Sequence, residues 1–517
     1  MCKRRRSPFL PLFFLAIAIL SLLSLGAIKS RYDFETRGIP DTLPEPISNS
    51  EARLGINVQL EQYDEGNLLN VLSRIESSGF EAIKQSFYFE EEFNWQNSDR
   101  LVSAVDQLDL DLVPVLDGNP KDNFAAVNPQ QFAAWVSEFA KRYGDQIRYY
   151  IIWDEPNLTE HWGNQPVNAT EYAAILSSAA EAIRKTDPGA VIVGAPLAPT
   201  VEEGPKNLAD YLYLQALYEA GAASEFDVVA SKSYGFDSDP MDRTVDPNIL
   251  NFSRIILLRE VMEDNDDASK PIWAGNWGWN SLPEGWQGQP SIWGQVDKNT
   301  QAAWTVSAIK RAREEWPWMG TMFLENWEPT AGKDDPRWGF SIANDELLND
   351  LRSLQSEIRV AYPGFYQAKN EHPTQAYFGN WRFSPEFGAD VGQSGDEVHF
   401  DFWGTDLGLR VRRSNYRGRF YIDVDGKPAN NLPQDEIGAT LVLSSPNPTE
   451  DYISTEQVAR NLAPGEHTAS VKALRGTEQW ALNGFSVGYR PPSHSYYLGL
   501  GVLVSTAVVA LIMFYCS

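Results

Sequence analysis

Short apolar runs alternate with helix-period segments along the central part of the chain. Runs typical of buried strands occur at Leu54–Val58, Phe80–Phe87, Asp111–Leu116, Ile147–Trp153, Ala190–Gly194, Phe226–Ser231, Pro271–Ala274 and Met319–Leu324. Apolar residues recur with helical spacing at Phe132–Tyr143, Thr170–Lys185, Leu208–Ala220, Ile249–Met262 and Thr300–Glu315. Eight such units over about 290 residues predict a (β/α)8 TIM barrel, whose usual size is roughly 250 residues plus insertions. A doubly wound open sheet is the rival fold, but its Gly-rich first turn is not present.

Helical spacing stops beyond about residue 375, and shorter alternating segments take its place. They occur at Val398–Trp403, Leu409–Arg413, Arg419–Val424, Ala439–Leu443, Thr468–Ala473 and Trp480–Tyr489. Turn sequences such as Asp425-Gly426-Lys427-Pro428 separate them. This pattern predicts an antiparallel β-sandwich of jelly-roll type over residues 375–492.

Each end of the chain carries an apolar segment of membrane-spanning length. Lys3–Arg6 precede the run Phe9–Ile28, a pattern that directs export and leaves the basic end in the cytoplasm. Residues 1–30 are therefore a cleaved signal peptide or an uncleaved signal anchor, and both readings stay open. Tyr496–Cys516 carries no charge and predicts a transmembrane helix over residues 496–516. The remaining segments are a polar linker at 31–50 and the barrel at 51–360.

Composition excludes several functional classes. The chain has 43 Lys+Arg against 70 Asp+Glu, a formal net charge of −27, which argues against nucleic-acid binding. Its two cysteines, Cys2 and Cys516, lie at the ends, so the body has no disulfide framework and no thiol nucleophile. Five histidines show no metal-binding spacing. We therefore expect neither a metal nor a cofactor.

Polar residues cluster where the predicted strands end, and a (β/α)8 barrel has its active site at that face. They are Asn57, Lys84, Gln85, Asp117, Asp154, Glu155, Asn157, Lys232, Tyr234, Asn276, Glu325 and Asn326. Tryptophans accompany them at positions 153, 162, 277, 279, 286, 293 and 327. Aromatic faces pack on the C–H faces of sugar rings, and amides and carboxylates bind hydroxyl groups. We favour a sugar cleft that includes Trp153, Trp277, Trp279 and Trp327 over tryptophans that only fill the core.

The segment Ile152-Trp153-Asp154-Glu155-Pro156-Asn157 resembles the W-N-E-P-N motif on the fourth strand of clan A glycoside hydrolases. The likeness covers residues 54 to about 345. It implies that Glu155 is the general acid/base, a carboxyl that protonates the leaving oxygen and then deprotonates water. The C-terminal module resembles the small jelly-roll domains found beside carbohydrate-active enzymes. The resemblance implies either glycan binding or a role as a spacer.

The chain departs from the clan pattern around this same residue. Asn276 stands where the resemblance places the nucleophilic Glu of strand seven, and a carboxamide cannot form the glycosyl-enzyme. Lys84 replaces the usual Arg and Lys232 the usual His, with Tyr234 retained, while Asp154 replaces Asn. One interpretation is inverting hydrolysis with a second carboxyl from Asp117, Glu325 or Asp154; substrate-assisted catalysis is another. Loss of activity is the third.

The sequence thus predicts a membrane-tethered extracytoplasmic protein that hydrolyses O-glycosidic bonds of a polysaccharide, with Glu155, Asp154 and Asn276 at the catalytic centre. The predicted substrate contacts are Lys84, Trp153, Asn157, Lys232, Tyr234, Trp277, Trp279, Glu325 and Trp327. An inactive glycosidase homologue that binds envelope glycan is the first alternative. A purely structural or adhesion ectodomain is the second.

Overall fold

The computed structural model describes residues 9–343, 345–356, 359–390, 393–415, 418–447, 449–474 and 480–516. The chain forms two compact units. Pro44–Tyr366 makes one, and Met1–Leu43 with Gln367–Ser517, including the first helix α1 (Phe9–Thr36), makes the other. Cys2 and the basic residues Lys3–Arg6, on which the export prediction depends, lie outside the described residues.

Eight parallel strands form the centre of the unit Pro44–Tyr366. They are β1 (Leu54–Asn57), β2 (Ala82–Tyr88), β3 (Asp111–Asp117), β4 (Tyr149–Ile152), β5 (Val191–Val193), β6 (Val229–Tyr234), β7 (Ile272–Gly278) and β8 (Met319–Leu324). Their order is β5-β4-β3-β2-β1-β8-β7-β6. Parallel bridges from Val193 to Val228 and from Leu197 to Ser231 link the two edges of this sheet. The sheet is a nearly closed barrel, which confirms the predicted fold over the open-sheet rival.

Helices follow the strands. They are α2 (Glu65–Ser77), α3 (Trp95–Val105), α4 (Pro129–Tyr143), α5 (Ala169–Thr186), α6 (Asp210–Glu219), α7 (Ile255–Asp264), α8 (Lys298–Glu315) and α9 (Leu347–Ser356). Side-chain oxygens of Asp64, Asn94, Asn128, Asn168 and Asp297 accept hydrogen bonds from first-turn N–H groups. Such caps satisfy donors that the helix itself leaves free, which explains where α2, α3, α4, α5 and α8 begin.

The barrel has two apolar layers, as the alternation of side chains along its strands requires. The inner layer fills the barrel and includes Val113, Val115, Ile151, Trp273 and Phe323. The outer layer lies between the strands and the helices and is larger. Side chains from the strand ends that enter neither layer form the candidate site.

Antiparallel strands make up the β-rich part of the chain after residue 363. They are β9 (Gly364–Gln367), β10 (Gln375–Phe378), β11 (Arg382–Ser384), β12 (Gly388–Asp390), β13 (Glu397–Gly404), β14 (Asp406–Arg413), β15 (Arg419–Val424), β16 (Lys427–Pro428), β17 (Thr440–Val442), β18 (Tyr452–Ala459), β19 (Gly465–Leu474) and β20 (Leu482–Gly488). One sheet has the order β10-β13-β19-β15-β16, and the other β11-β12-β20-β14-β18. Phe400 of the first sheet stacks on Phe485 of the second, with ring centroids 4.2 Å apart. The predicted β-sandwich is therefore confirmed.

The last helix, α10, runs over His494–Cys516. By length and composition, two helices in the described chain are apolar enough to cross a membrane: Phe9–Thr36 and the segment Tyr496–Cys516 of α10. A signal sequence or a core helix can pass the same test, although only 11% of the apolar window in each is buried.

Candidate active site

Charged and polar side chains from five strands meet at the C-terminal end of the barrel, as the sequence predicts. Hydrogen bonds and ion pairs join them in two groups. One group contains Asp154, Glu155 and Lys232. The other contains Lys84, Tyr234, Asn276 and Glu325.

The chain turns sharply after β4, where the two acidic residues lie. Trp153 and Glu155 have φ angles of 73° and 46°, a left-handed conformation that few residues other than glycine adopt. Each such residue costs about 1–3 kcal/mol, and positions of this kind concentrate at functional sites. The Glu155 N–H donates to the Pro196 carbonyl at 3.2 Å, which holds the turn against the segment after β5.

Lys232 links both acidic residues. Its Nζ lies 2.9 Å from Asp154 Oδ2 and 2.9 Å from Glu155 Oε1. Burial acts to lower the pKa of Lys232, but Asp154 and Glu155 outweigh it, so this pKa is raised. Burial likewise acts to raise the pKa of Asp154, but Lys232 and Lys84 outweigh it, so that pKa is lowered. At neutral pH the lysine is therefore charged and Asp154 ionised.

His161 completes this group, and the sequence analysis missed it. Its Nε2 lies 3.0 Å from Glu155 Oε2, and its ring stacks on Phe124 with centroids 4.6 Å apart. The residue ends a short 3-10 helix, Thr159–His161, on the loop that carries Glu155. Its position six residues after Glu155 is the signal that the sequence offered.

Glu325 occupies the centre of the second group. Its Oε2 accepts hydrogen bonds from the Tyr234 hydroxyl and the Asn276 Nδ2, each at 2.7 Å. Asn276 Oδ1 accepts one from Lys84 Nζ at 2.6 Å. Burial raises the pKa of Glu325, and Lys232 opposes this shift only in part. Burial lowers the pKa of Lys84 to about 8.

Other polar residues at the strand ends serve the fold. Asn57 Nδ2 donates to the Leu324 carbonyl at 2.8 Å, and Gln85 Oε1 accepts the Leu60 N–H. Asp117 is buried, and burial together with the charge of Asp154 raises its pKa well above its usual range. Asp117 therefore resists ionisation, which makes it the weaker candidate for a second carboxylate.

The four tryptophans predicted to contact substrate are buried in the outer apolar layer. Trp153, Trp277, Trp279 and Trp327 are each at most 1% exposed and pack there. The indole N–H of Trp279, for example, donates to the Ser238 carbonyl. Asn157 is also fully buried, since its amide holds the backbone of Ala198 and Leu208. None of these five side chains is more than 1% exposed in this structure.

Different aromatic residues border the cluster. Trp293 is half-buried and packs on Tyr234, with ring centroids 6.0 Å apart. Phe124 is also half-buried, and exposed Tyr88 lies 6.2 Å from it, centroid to centroid. Trp293 was among the tryptophans that the sequence indicated, whereas Phe124 and Tyr88 carried no motif.

An open cavity of about 1110 Å³ adjoins the loops after β7 and β8. The 3-10 helix Pro336–Phe340 connects it with the cluster, because Phe340 packs on Tyr234 while Trp338 lines the cavity. Its further lining is Ser281, Leu282, Pro283, Glu284, Trp286, Gln295, Val296, Asp297, Lys298 and Lys333.

Asp154, Glu155 and His161 are the described residues best placed to hold a metal ion, with one ligand atom of each within 4.8 Å of the others. The Lys232 ammonium, however, already contacts both carboxylates. A divalent cation between them would be repelled by that charge and would have to displace it. The donor set therefore fits an internal ammonium better than a metal.

Three solved glycosidase structures align with parts of this chain. A glucosidase from Croceicoccus marinus aligns over 84% of this chain and 98% of its own, at 12% identity and a TM-score of 0.47. Bacteroides uniformis beta-glucuronidase 2 aligns over 86% of this chain and 65% of its own, at 9% identity and 0.42. A beta-galactosidase from Marinomonas ef1 aligns over 59% of both chains, at 10% identity and 0.41.

This chain therefore spans less than two thirds of the length of the last two proteins. No protein-family model matches the chain, and no curated protein matches it. At TM-scores of 0.41 to 0.47, these alignments carry no conclusion about the function of this chain or the roles of its residues.

Proposed function

We propose that this protein is a membrane-tethered glycoside hydrolase that cleaves O-glycosidic bonds of an extracytoplasmic polysaccharide. Glu155 is the general acid/base, and Glu325 supplies the carboxylate that Asn276 lacks. The observation that carries the proposal is the pair of 2.7 Å hydrogen bonds to Glu325 Oε2 from Tyr234 and Asn276. They bring a carboxylate from β8 beside the position on β7 where the resemblance expects one.

The contacts of Glu325 suit a nucleophile or a base. Two donors hold one oxygen, and within the described chain Oε1 has no hydrogen-bond partner. Donors fix the orientation of a carboxylate and stabilise its charge, while the free oxygen is left for an anomeric carbon or a water. Whether Glu325 attacks the sugar or activates water decides between retention and inversion.

Glu155 has partners suited to proton transfer. Lys232 contacts its Oε1 and His161 its Oε2. A general acid must regain its proton in every cycle, and His161 is a titratable neighbour within hydrogen-bond distance. Lys232 balances the charge that remains on Glu155 after it protonates the leaving oxygen.

The surroundings suit a sugar chain. Lys84 and Asn276 offer polar atoms to hydroxyl groups, while Phe124 and Trp293 offer ring faces. The cavity beside Trp286 and Trp338 gives room for further sugar units. Export of the body is inferred from the basic N-terminus and the apolar helices at both ends.

The test is product release by the full-length protein, in detergent, from a panel of polysaccharides and aryl glycosides. We expect turnover on at least one substrate and its loss by about 10³-fold or more in Glu155→Gln. Glu160→Gln is the matched control, because this exposed residue lies on the same loop and keeps wild-type activity in our account. Equal losses in both variants would contradict the role of Glu155.

A second candidate function is glycan binding without cleavage. Lys232 contacts both Asp154 and Glu155, so both acidic groups after β4 already have a partner, and Asn276 stands where the resemblance expects a carboxylate. In this case the panel would show saturable binding of a glycan but no product. Neither binding nor turnover would leave the structural ectodomain as the remaining function.

A further inference from the structure

The apolar helices at the two ends of the chain pack against each other. α1 and α10 belong to the same compact unit. The Tyr32 ring near the end of α1 stacks on Tyr496 near the start of α10, with centroids 4.1 Å apart and planes 15° from parallel. At the other end, Phe14 and Ile17 share a small pocket with Val509 and Ala510. The helices are therefore antiparallel.

Six of the non-exposed residues of α1 form one continuous stripe. They recur at alternating steps of three and four: Phe14, Ala18, Ser21, Leu25, Ile28 and Tyr32. Ala18 and Ser21 are only 1% and 5% exposed, whereas Leu20 and Leu23 on the other faces are 63% and 65% exposed. A heptad spacing of this kind marks the contact face of a paired helix.

The matching stripe on α10 contains small residues. Its least exposed members are Tyr496, Gly499, Leu503, Ala507 and Ala510. Ile28 Cδ1 lies 3.6 Å from the point where a Cβ on Gly499 would stand, so the helices are close there. Small residues let helix backbones approach in a lipid bilayer, where packing rather than the hydrophobic effect drives association.

Tyrosines on both helices and the first charges of α1 lie at the same level. The charges of α1 begin at Lys29, which directly follows Ile28 and whose ammonium pairs with Asp33. Tyr32 at this level meets Tyr496 and Tyr497. Tyrosines favour the membrane–water interface, and the 20 apolar residues before Lys29 span about 30 Å as a helix.

We propose that the N-terminal segment is retained as a transmembrane helix and forms an antiparallel transmembrane hairpin with α10. Small residues near Ala27 offer a weak cleavage site. Cleavage there would remove most of the surface that α10 contacts. In this hairpin both ends of the chain lie on one side of the membrane, and residues 37–493 lie on the other. This inference rests on the membrane tethering proposed above.

Cysteine cross-linking in native membranes tests the hairpin. Cys2→Ser and Cys516→Ser remove the native thiols, and Ile28→Cys is combined with Gly499→Cys. A protease site inserted between the exposed residues Glu45 and Pro46 separates the N-terminal fragment from the remainder. The control replaces Ile28→Cys by Gly26→Cys, because a Cβ at Gly26 meets nothing within 4 Å.

After mild oxidation and proteolysis, we expect an N-terminal epitope tag to stay with the body at least tenfold more in the Ile28/Gly499 pair than in the control. If the chain keeps its N-terminal tag but the two cysteine pairs cross-link equally, the hairpin is overturned. Loss of the tag from a chain that resists alkaline extraction would overturn retention of α1 while tethering by α10 stands. Extraction of the whole chain by alkali would overturn the tethering and the hairpin together.

Discussion

Asn276 lies between buried Lys84 and half-buried Glu325. Its Oδ1 accepts from Lys84 and its Nδ2 donates to Glu325, so the amide links a cation to a carboxylate without adding charge. A carboxylate at this position would repel Glu325 at hydrogen-bond distance. An uncharged Asn276 on β7 is thus compatible with Glu325 after β8 at the level of single contacts.

Asn276→Asp should raise the pKa of Glu325 further, since a donor becomes a like charge. Activity that needs ionised Glu325 should then appear only at higher pH, with the acidic limb of kcat/KM moved upward by about one pH unit or more. Asn299→Asp, which adds the same charge at the exposed start of α8, should leave the profile unchanged. An unmoved limb in Asn276→Asp would contradict the coupling.

The lowered pKa of Lys84 predicts a pH dependence of the free energy of unfolding. Its pKa is lowered from 10.5 to about 8, so between these values the unfolded chain binds a proton that the folded protein does not. The free energy of unfolding should therefore rise with pH from 8 to 10.5, by about 3 kcal/mol from this group. Lys84→Met should remove that rise in thermal or denaturant unfolding, and Lys121→Met, an exposed lysine, should keep it. An identical slope in both variants would show that Lys84 is not buried as described.

The charged residues of the candidate site could be located from the sequence. The side of the strand to which the tryptophan side chains point could not. Glu155, Lys232, Asn276 and Glu325 could be located because each follows an apolar run, and every predicted barrel strand is present. Alternation along a strand predicts orientation only while pairing is regular. β7 shifts register against β8 twice between Ile272 and Trp277, so the facing of Trp277 could not be derived.

At the scale of elements, a buried ion pair joins the start of α6 to the segment before α7. Arg254 contacts both oxygens of Asp210, with side chains 3% and 1% exposed, and also donates to the carbonyls of Pro247 and Thr200. Removal of one member of such a pair leaves an uncompensated buried charge. This contact holds the long loop after β6 in place.

Asp210→Asn should destabilise the barrel by about 3 kcal/mol, because the Arg254 charge stays buried without its counter-charge. Lys121→Met removes an exposed pair with Glu90 and should cost about 1 kcal/mol or less. Denaturant unfolding of both variants measures the difference. Equal stability of Asp210→Asn and the wild type would contradict the described contact.

In the whole chain, residues 37–493 lie between two apolar helices, α1 and α10. With both helices in the bilayer, deletion of residues 1–28 or of residues 496–517 alone should leave the protein in the alkali-resistant membrane fraction. Deletion of both should release it. Release after a single deletion would show that one helix carries the tether alone.

The central claim is that Glu325 takes over the carboxylate function missing at Asn276. Its most direct test is kcat/KM of Glu325→Gln relative to the wild type on the best substrate of the glycan panel. Glu328→Gln is the control, because Glu328 lies on the same loop and its carboxylate accepts a hydrogen bond from the Tyr63 hydroxyl. We expect kcat/KM to fall by about 10³-fold or more in Glu325→Gln and to change little in the control. Activity of Glu325→Gln within tenfold of the wild type would contradict it.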